Sequence, residues 1–186
     1  MKRIFDIVVV VVAGLVFAIP MALIAVLIKL SSKGPVFYWS DRIGKANATF
    51  KMPKFRTMKI NTPVVATHLL NDPAVHLTPI GSFLRKSSLD ELPQLWSILC
   101  GHMSLVGPRP ALFNQYDLIE LRTQRGVSEL VPGLTGWAQV NGRDELLLSV
   151  KVTFDVEYLH KRSFLFDLHI LWLTLMWVLR RDGIVH

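Results

Sequence analysis

The stretch from Ile7 to Ile28, IVVVVVAGLVFAIPMALIAVLI, carries no charged side chain over 22 positions. About 20 apolar residues suffice to cross a bilayer as a helix, so the reading of this run decides the architecture. A secretory signal has an apolar core of roughly 7–15 residues followed by a small-residue cleavage site. This run is longer and ends in Lys29-Leu30, so it is not read as a signal. A simple span is the next reading, and charge counts against it. Lys2 and Arg3 precede the run, and Lys29, Lys33, Arg42 and Lys45 follow it. Both flanks therefore ask for the same side of the membrane. Pro20, near the middle, removes a backbone hydrogen bond and bends a helix. A helix that enters the bilayer, breaks at Pro20 and returns satisfies both flanks, with a simple span as the alternative. The expected organisation is a re-entrant membrane helix over residues 1–30 and a compact membrane-associated domain over 31–186.

Charge is distributed to match. Net charge is +7 in 186 residues. Residues 1–60 hold ten Lys or Arg against Asp6 and Asp41, and the remainder is close to balanced. A basic cluster beside an apolar segment is drawn to anionic lipid by about 1 kcal/mol per residue. Asp6, next to Lys2 and Arg3, reads as a neutralised charge at that interface. No nucleic-acid motif accompanies the basic residues, so nucleic acid is not an expected partner. The single cysteine, Cys100, excludes a disulfide framework and reads as a small buried apolar residue.

The rest of the chain reads as mostly α with minor β. Ser31-Ser32-Lys33-Gly34-Pro35 ends the first helix. Val36 to Trp39 reads as a short strand or an interfacial aromatic patch, and Thr49 to Met58 as a strand or extended segment. Residues 60–79, with three prolines, read as a loop with one helical turn. Helices are expected over Leu92–Leu99, Phe113–Glu129 and Val150–His160. Phe164 to Leu179 is too short in its uncharged part to span, and its tryptophans leave a core helix and an interfacial one in balance.

Within this frame stands an acidic pair, Asp90-Glu91, in Arg85-Lys86-Ser87-Ser88-Leu89-Asp90-Glu91-Leu92-Pro93-Gln94. Ser88-Leu89-Asp90-Glu91 fits a capping box, which is the bland reading. Pro93 argues against a helix capped by Ser88, because it would fall beyond the first turn. A helix starting at or after Asp90 instead places both carboxylates at a positive helix end beside Arg85 and Lys86, which favours their ionised forms. An ionised, fixed carboxylate is a competent nucleophile, and two adjacent ones can hold Mg²⁺. Arg109, between Pro108 and Pro110, suits phosphate binding or a structural turn. Lys54 and Arg56 lie two apart on one side of an extended segment, facing phosphate or lipid headgroups. The histidines show no metal-ligand spacing, and no Walker loop, dinucleotide fingerprint or nucleophile elbow occurs.

Taken together, the motifs resemble the bacterial sugar transferase family, the small monotopic polyprenyl-phosphate phosphoglycosyl transferases. The likeness runs through Lys2-Arg3-Ile4-Phe5-Asp6, the Pro20 break, Phe50 to Met58, Ser88 to Leu95, Met103 to Pro110 and Pro132 to Arg143. The resemblance implies an enzyme on the cytoplasmic face of the bacterial inner membrane. It would move a sugar-1-phosphate from a UDP-sugar, of the N-acetylated hexosamine type, to polyprenyl (undecaprenyl) phosphate and release UMP. Asp90 would be the nucleophile that carries the phosphosugar, with Glu91 helping it hold Mg²⁺. Lys54 and Arg109 would hold phosphates, Arg85 would be an active-site arginine, and Arg56, Gln139 and Arg143 would join the substrate-binding set. A homo-oligomer is left open. The alternative is a non-catalytic membrane scaffold that recruits glycan-assembly enzymes. His102 stands where many relatives have an acid, and Pro53 where many have an aromatic or apolar residue.

Overall fold

The computed structural model describes residues 1–63, 72–142 and 146–180. A helix of 30 residues, α1 (Lys2–Ser31), opens the chain and runs through Pro20 rather than ending there. It is the one helix among the described residues long and apolar enough to cross a membrane. Its middle is bare: Leu15 is 75% and Ile19 74% exposed, whereas Val10, Ile24 and Ile28 are buried. Polar groups tie its first turns to the domain. Arg3 donates to the carbonyls of Ile98 and Leu99, and Lys2 reaches Val106 O, Tyr158 and Asp167. Asp6 corrects the sequence reading. It is buried and accepts hydrogen bonds from Ser104 Oγ and the Leu105 N–H, so it anchors the helix to the domain instead of neutralising its neighbours.

Strands β1 (Phe37–Ile43) and β2 (Thr49–Phe55) form an antiparallel hairpin in which Phe37 faces Phe55 and Ile43 faces Thr49. With two strands, each is an edge, so Pro53 costs no ladder bond that a third strand would need. A turn of 3-10 helix (Pro73–His76) follows the undescribed segment and leads to helix α2 (Gly81–Lys86). The expected helix over Leu92–Leu99 is two pieces, a 3-10 helix over Leu89–Gln94 and helix α3 (Leu95–Leu99). Pro93 accounts for the division, because its ring suits the tighter turn and has no N–H to give. Cys100 is exposed, not buried: it is the residue that ends α3, just before Gly101 turns the chain at φ +86°.

The expected helix over Phe113–Glu129 is also shorter. Helix α4 (Tyr116–Gln124) ends before Gly126, whose φ of +73° no helix accommodates, and a 3-10 turn covers Val127–Glu129. Helix α5 (Trp137–Val140) precedes the two long C-terminal helices, α6 (Leu148–Lys161) and α7 (Phe164–Arg180). A parallel pair not expected from the sequence, β3 (Ser104–Val106) and β4 (Gly133–Thr135), packs against α7, and β3 also meets α1. The main core gathers Val10, Phe50, Met52, Ile98, Met103, Leu105, Val106, Tyr158 and Ile170. Helix α7 packs one face into the core, where Ile170 is fully buried, and leaves Leu165, Trp172 and Leu175 exposed on the other.

Candidate active site

The acidic pair sits on the 3-10 helix, which packs against β2. Ser88 precedes it in a left-handed conformation and makes no side-chain cap, so the capping box is not formed. Glu91 turns elsewhere. Its Oε1 accepts from Lys54 Nζ at 2.7 Å and from Arg109 Nη2 at 2.7 Å. One carboxylate oxygen thus gathers cations from β2 and from the turn after β3.

The turn that delivers Arg109 depends on backbone approaching backbone. Gly107 N–H donates to Thr135 O, and Gly133 N–H donates to Pro108 O, both at 2.9 Å. A Cβ on Gly133 would fall 2.1 Å from Gly107 N, and one on Gly136 would fall 2.1 Å from Gly107 O. Only glycine fits either place, so the Gly107-Pro108-Arg109-Pro110 and Pro132-Gly133-Leu134-Thr135-Gly136 motifs are halves of one interlock. A further close approach sets Arg85: a Cβ on Gly81 would lie 2.1 Å from Thr57 O. That contact lets α2 start hard against Thr57, whose Oγ1 then accepts from Arg85 Nε at 3.1 Å.

Adjacent carboxyls are driven in opposite directions. Asp90 is only 7% exposed, and that burial pushes its pKa up to about 6 against the pull of Lys54 and Arg85. The expected pull toward the ionised form is therefore outweighed by desolvation at Asp90, although a pKa of about 6 still leaves it ionised at neutral pH. Burial would raise Glu91 as well, but Arg109 and Lys54 hold it well below the usual carboxylate range. Burial lowers Lys54 more than Glu91 raises it, and burial likewise lowers Arg85 while Asp90 opposes the shift.

The structure thus brings together Asp90, Glu91, Lys54, Arg109 and Arg85. Arg56 is turned away: its Nε donates to Pro35 O, and its Nη2 to Ser32 O and Oγ, bracing the end of α1. Gln139 uses Nε2 on Leu134 O, and its Oε1 is buried without a partner. Arg143 lies outside the described residues. His102 is exposed and rests its ring at 33° on Phe50, on the loop that leads to β3. Sequence reasoning did not find Arg122, Asp155 or Arg42, which stand behind the arginine turn. Their signal is only a pairing across the fold, invisible in a linear motif.

A chemistry follows from the arrangement. A recessed carboxylate stands beside a cation cluster that is partly neutralised by its neighbour, at one end of a domain built on an apolar helix. That set suits an anionic, phosphate-bearing substrate. Comparison with known proteins decides the family: residues 1–181 match the bacterial sugar transferases. The chain belongs to the bacterial sugar transferase family. It is 43% identical over 185 residues to the UDP-glucose:undecaprenyl-phosphate glucose-1-phosphate transferase of Escherichia coli, covering 94% of this chain and 39% of that protein. It is 39% identical to the uncharacterized sugar transferase EpsL of Bacillus subtilis, covering 99% of this chain and 90% of that one. It is 36% identical to the UDP-N-acetylgalactosamine-undecaprenyl-phosphate N-acetylgalactosaminephosphotransferase of Aeromonas hydrophila, covering 98% of this chain and 44% of that protein. The chain thus spans about two fifths of the length of the E. coli and Aeromonas transferases.

Proposed function

We propose that this sugar transferase moves a sugar-1-phosphate from a UDP-sugar to undecaprenyl phosphate and releases UMP. The observation that carries the reading is Glu91 held between Lys54 and Arg109 at 2.7 Å each, beside the buried carboxyl of Asp90. The names of the similar transferases fit it, and they extend past N-acetylated sugars to glucose.

In this reading an Asp90 oxygen attacks the phosphorus that bears the sugar. A P–O bond forms to Asp90, the bond to the bridging oxygen breaks, and UMP leaves with that oxygen. An oxygen of undecaprenyl phosphate then attacks the same phosphorus, and Asp90 is regenerated as a carboxylate. Splitting the transfer lets a soluble donor and a lipid acceptor use the site in turn. Lys54, Arg85 and Arg109 supply positive charge around the phosphates. Glu91 keeps Lys54 and Arg109 in place until substrate arrives.

The donor set fits Mg²⁺, which binds through one or two carboxylates together with substrate phosphates. Among the described residues no cluster of three or more metal-ligating side chains exists, so substrate phosphates and waters would supply the remaining ligands. Asp90 and the Glu91 oxygen that Lys54 and Arg109 leave open would hold the ion. When bound, it would neutralise phosphate charge.

The membrane geometry belongs to the same proposal. Arg3 is bonded to α3, while Ile28 is buried in a cluster with Phe55 and Leu84. A straight helix would put residues 3 and 28 about 38 Å apart. Both ends of α1 nonetheless rest on the one domain, which supports both flanks lying on the cytoplasmic face of the inner membrane with the exposed middle in lipid. Undecaprenyl phosphate would then meet Asp90 at headgroup depth.

The test is UMP release from a panel of UDP-sugars that includes glucose and N-acetylated hexosamines, with Mg²⁺ and undecaprenyl phosphate. Release that is lost in Asp90→Asn is expected. Release that survives Asp90→Asn, or none across the panel from folded protein, would overturn the assignment.

A further inference from the structure

All three carbonyls of the Pro108-Arg109-Pro110 turn are held from outside it. The Gly133 N–H donates to Pro108 O at 2.9 Å, Arg122 Nη1 to Arg109 O at 2.8 Å and Arg42 Nη1 to Pro110 O at 3.1 Å. The prolines fix φ on either side of Arg109. They do not by themselves fix the peptide plane that carries the Arg109 carbonyl. A cavity of about 30 Å³ lies behind the turn, lined in part by Pro108, Pro110, Arg122 and Pro132.

Arg122 is well placed to do so. It is buried on α4, and its Nε and Nη2 both donate to Asp155 Oδ2 on α6, at 2.9 and 2.7 Å. Asp155 is 1% exposed. A buried ion pair is a poor source of net stability, because desolvating two charges offsets most of their attraction. What this pair does achieve is to aim the third donor of a planar guanidinium at one backbone oxygen. Rotation of Arg122 would break both contacts to Asp155, so the carbonyl is gripped by a fork that cannot turn.

We propose that Arg122, locked by Asp155, is a positioning residue for Arg109. It holds the Arg109 peptide plane so that the guanidinium meets Glu91 and the substrate phosphates without reorganising. Neither Arg122 nor Asp155 touches substrate in this scheme. The inference rests on the proposed transfer for its kinetic consequences, but not for its geometric one. The competing explanation is a staple between α4 and α6 with no bearing on Arg109.

The experiment exchanges the pair for apolar residues, Arg122→Met with Asp155→Leu, because well-packed replacements of buried pairs commonly keep the fold. Arg122→Lys serves as a second variant: it keeps one donor and the charge, and loses the fork. Stability coupling between Arg109 and Glu91 is measured by double-mutant cycle in the wild-type and variant backgrounds, with no substrate present. UMP release is then measured for the same proteins with and without Arg109→Ala. The coupling is expected to be present in wild type and lost in the variant whose melting temperature stays near wild type. Activity should fall about 10- to 100-fold, the usual range for a lost supporting contact, mainly in the affinity for UDP-sugar, and Arg109→Ala should then cost little more. An unchanged Arg109–Glu91 coupling in a folded variant would overturn the inference, as would losses that multiply independently with Arg109→Ala. Inactive wild-type protein with an intact coupling pattern would instead count against the proposed transfer alone.

Discussion

Asp90 and Glu91 are neighbours in the chain, yet Glu91 Oε1 accepts from both Lys54 and Arg109 while the Asp90 carboxylate accepts no hydrogen bond from the described residues. The two acids divide the work. Glu91 is held ionised between two cations, whereas burial pushes the Asp90 carboxyl up to about 6. Burying that carboxyl is a cost to the fold, and in the proposed transfer the same group is the one that attacks phosphorus.

That cost gives the first prediction. The folded carboxyl of Asp90 titrates above its unfolded value of 3.8, near 6. The unfolded chain therefore releases this proton first, and its contribution to stability falls as pH rises from about 4 to about 6. Asp90→Asn should match wild type near pH 3.5 and be more stable at pH 8, by on the order of 2 kcal/mol. Denaturant unfolding at the two pH values checks this. Equal destabilisation at both would show that burial does not dominate.

Glu91→Gln removes the negative charge and leaves Lys54 and Arg109 around a neutral acceptor. Breaking a largely buried pair from one side costs about 3 kcal/mol. Thermal unfolding should show a clear loss, and Glu91→Gln with Lys54→Met should recover part of it. A single variant as stable as wild type would contradict the role given to Glu91.

Gly133→Ala adds a methyl where 2.1 Å separates it from Gly107 N. The β3–β4 pair must part, costing upward of the roughly 1–3 kcal/mol usual for overpacking. Arg109 moves with it, so UMP release should fall more steeply than stability at temperatures where the variant is folded. Stable, fully active Gly133→Ala would show that the two motifs do not interlock.

For α1, the prediction concerns sidedness. Cys100 is exposed and would be replaced by Ser first. Single cysteines at positions 2 and 33 should then react with an impermeant reagent from the same side of a sealed vesicle. Labelling from opposite sides would sink the re-entrant geometry.

Much of this was legible in the sequence, and the reasons differ by element. The apolar run with cations on both flanks, the hairpin strands and the C-terminal helices are local patterns, and the structure has them. Pro93 argued against a plain capped helix, but it was the family resemblance that singled out the acidic pair as a candidate site. What escaped was set by contacts far apart in the chain. Strands β3 and β4 are three residues each and carry no local strand signal, because their pairing is parallel and the glycines beside them make sense only against each other. Arg122, near the end of α4, and Asp155, midway along α6, are 33 residues apart, and nothing local announces the bond. Arg56 misled because alternation along an extended segment places a side chain on a face but does not say what it meets there. Asp90 was assigned the wrong direction of titration since its neighbours in sequence are cations, whereas burial is a property of the fold.

The central claim is that Asp90 carries the phosphosugar. Intact-mass measurement of the protein after incubation with its UDP-sugar and Mg²⁺, with no lipid acceptor, tests it directly. The account predicts a gain of one phosphosugar, located to Asp90 by peptide mapping, absent in Asp90→Asn and discharged when undecaprenyl phosphate is added. Protein that turns over donor and acceptor together yet never carries the adduct, under rapid quench, would contradict it.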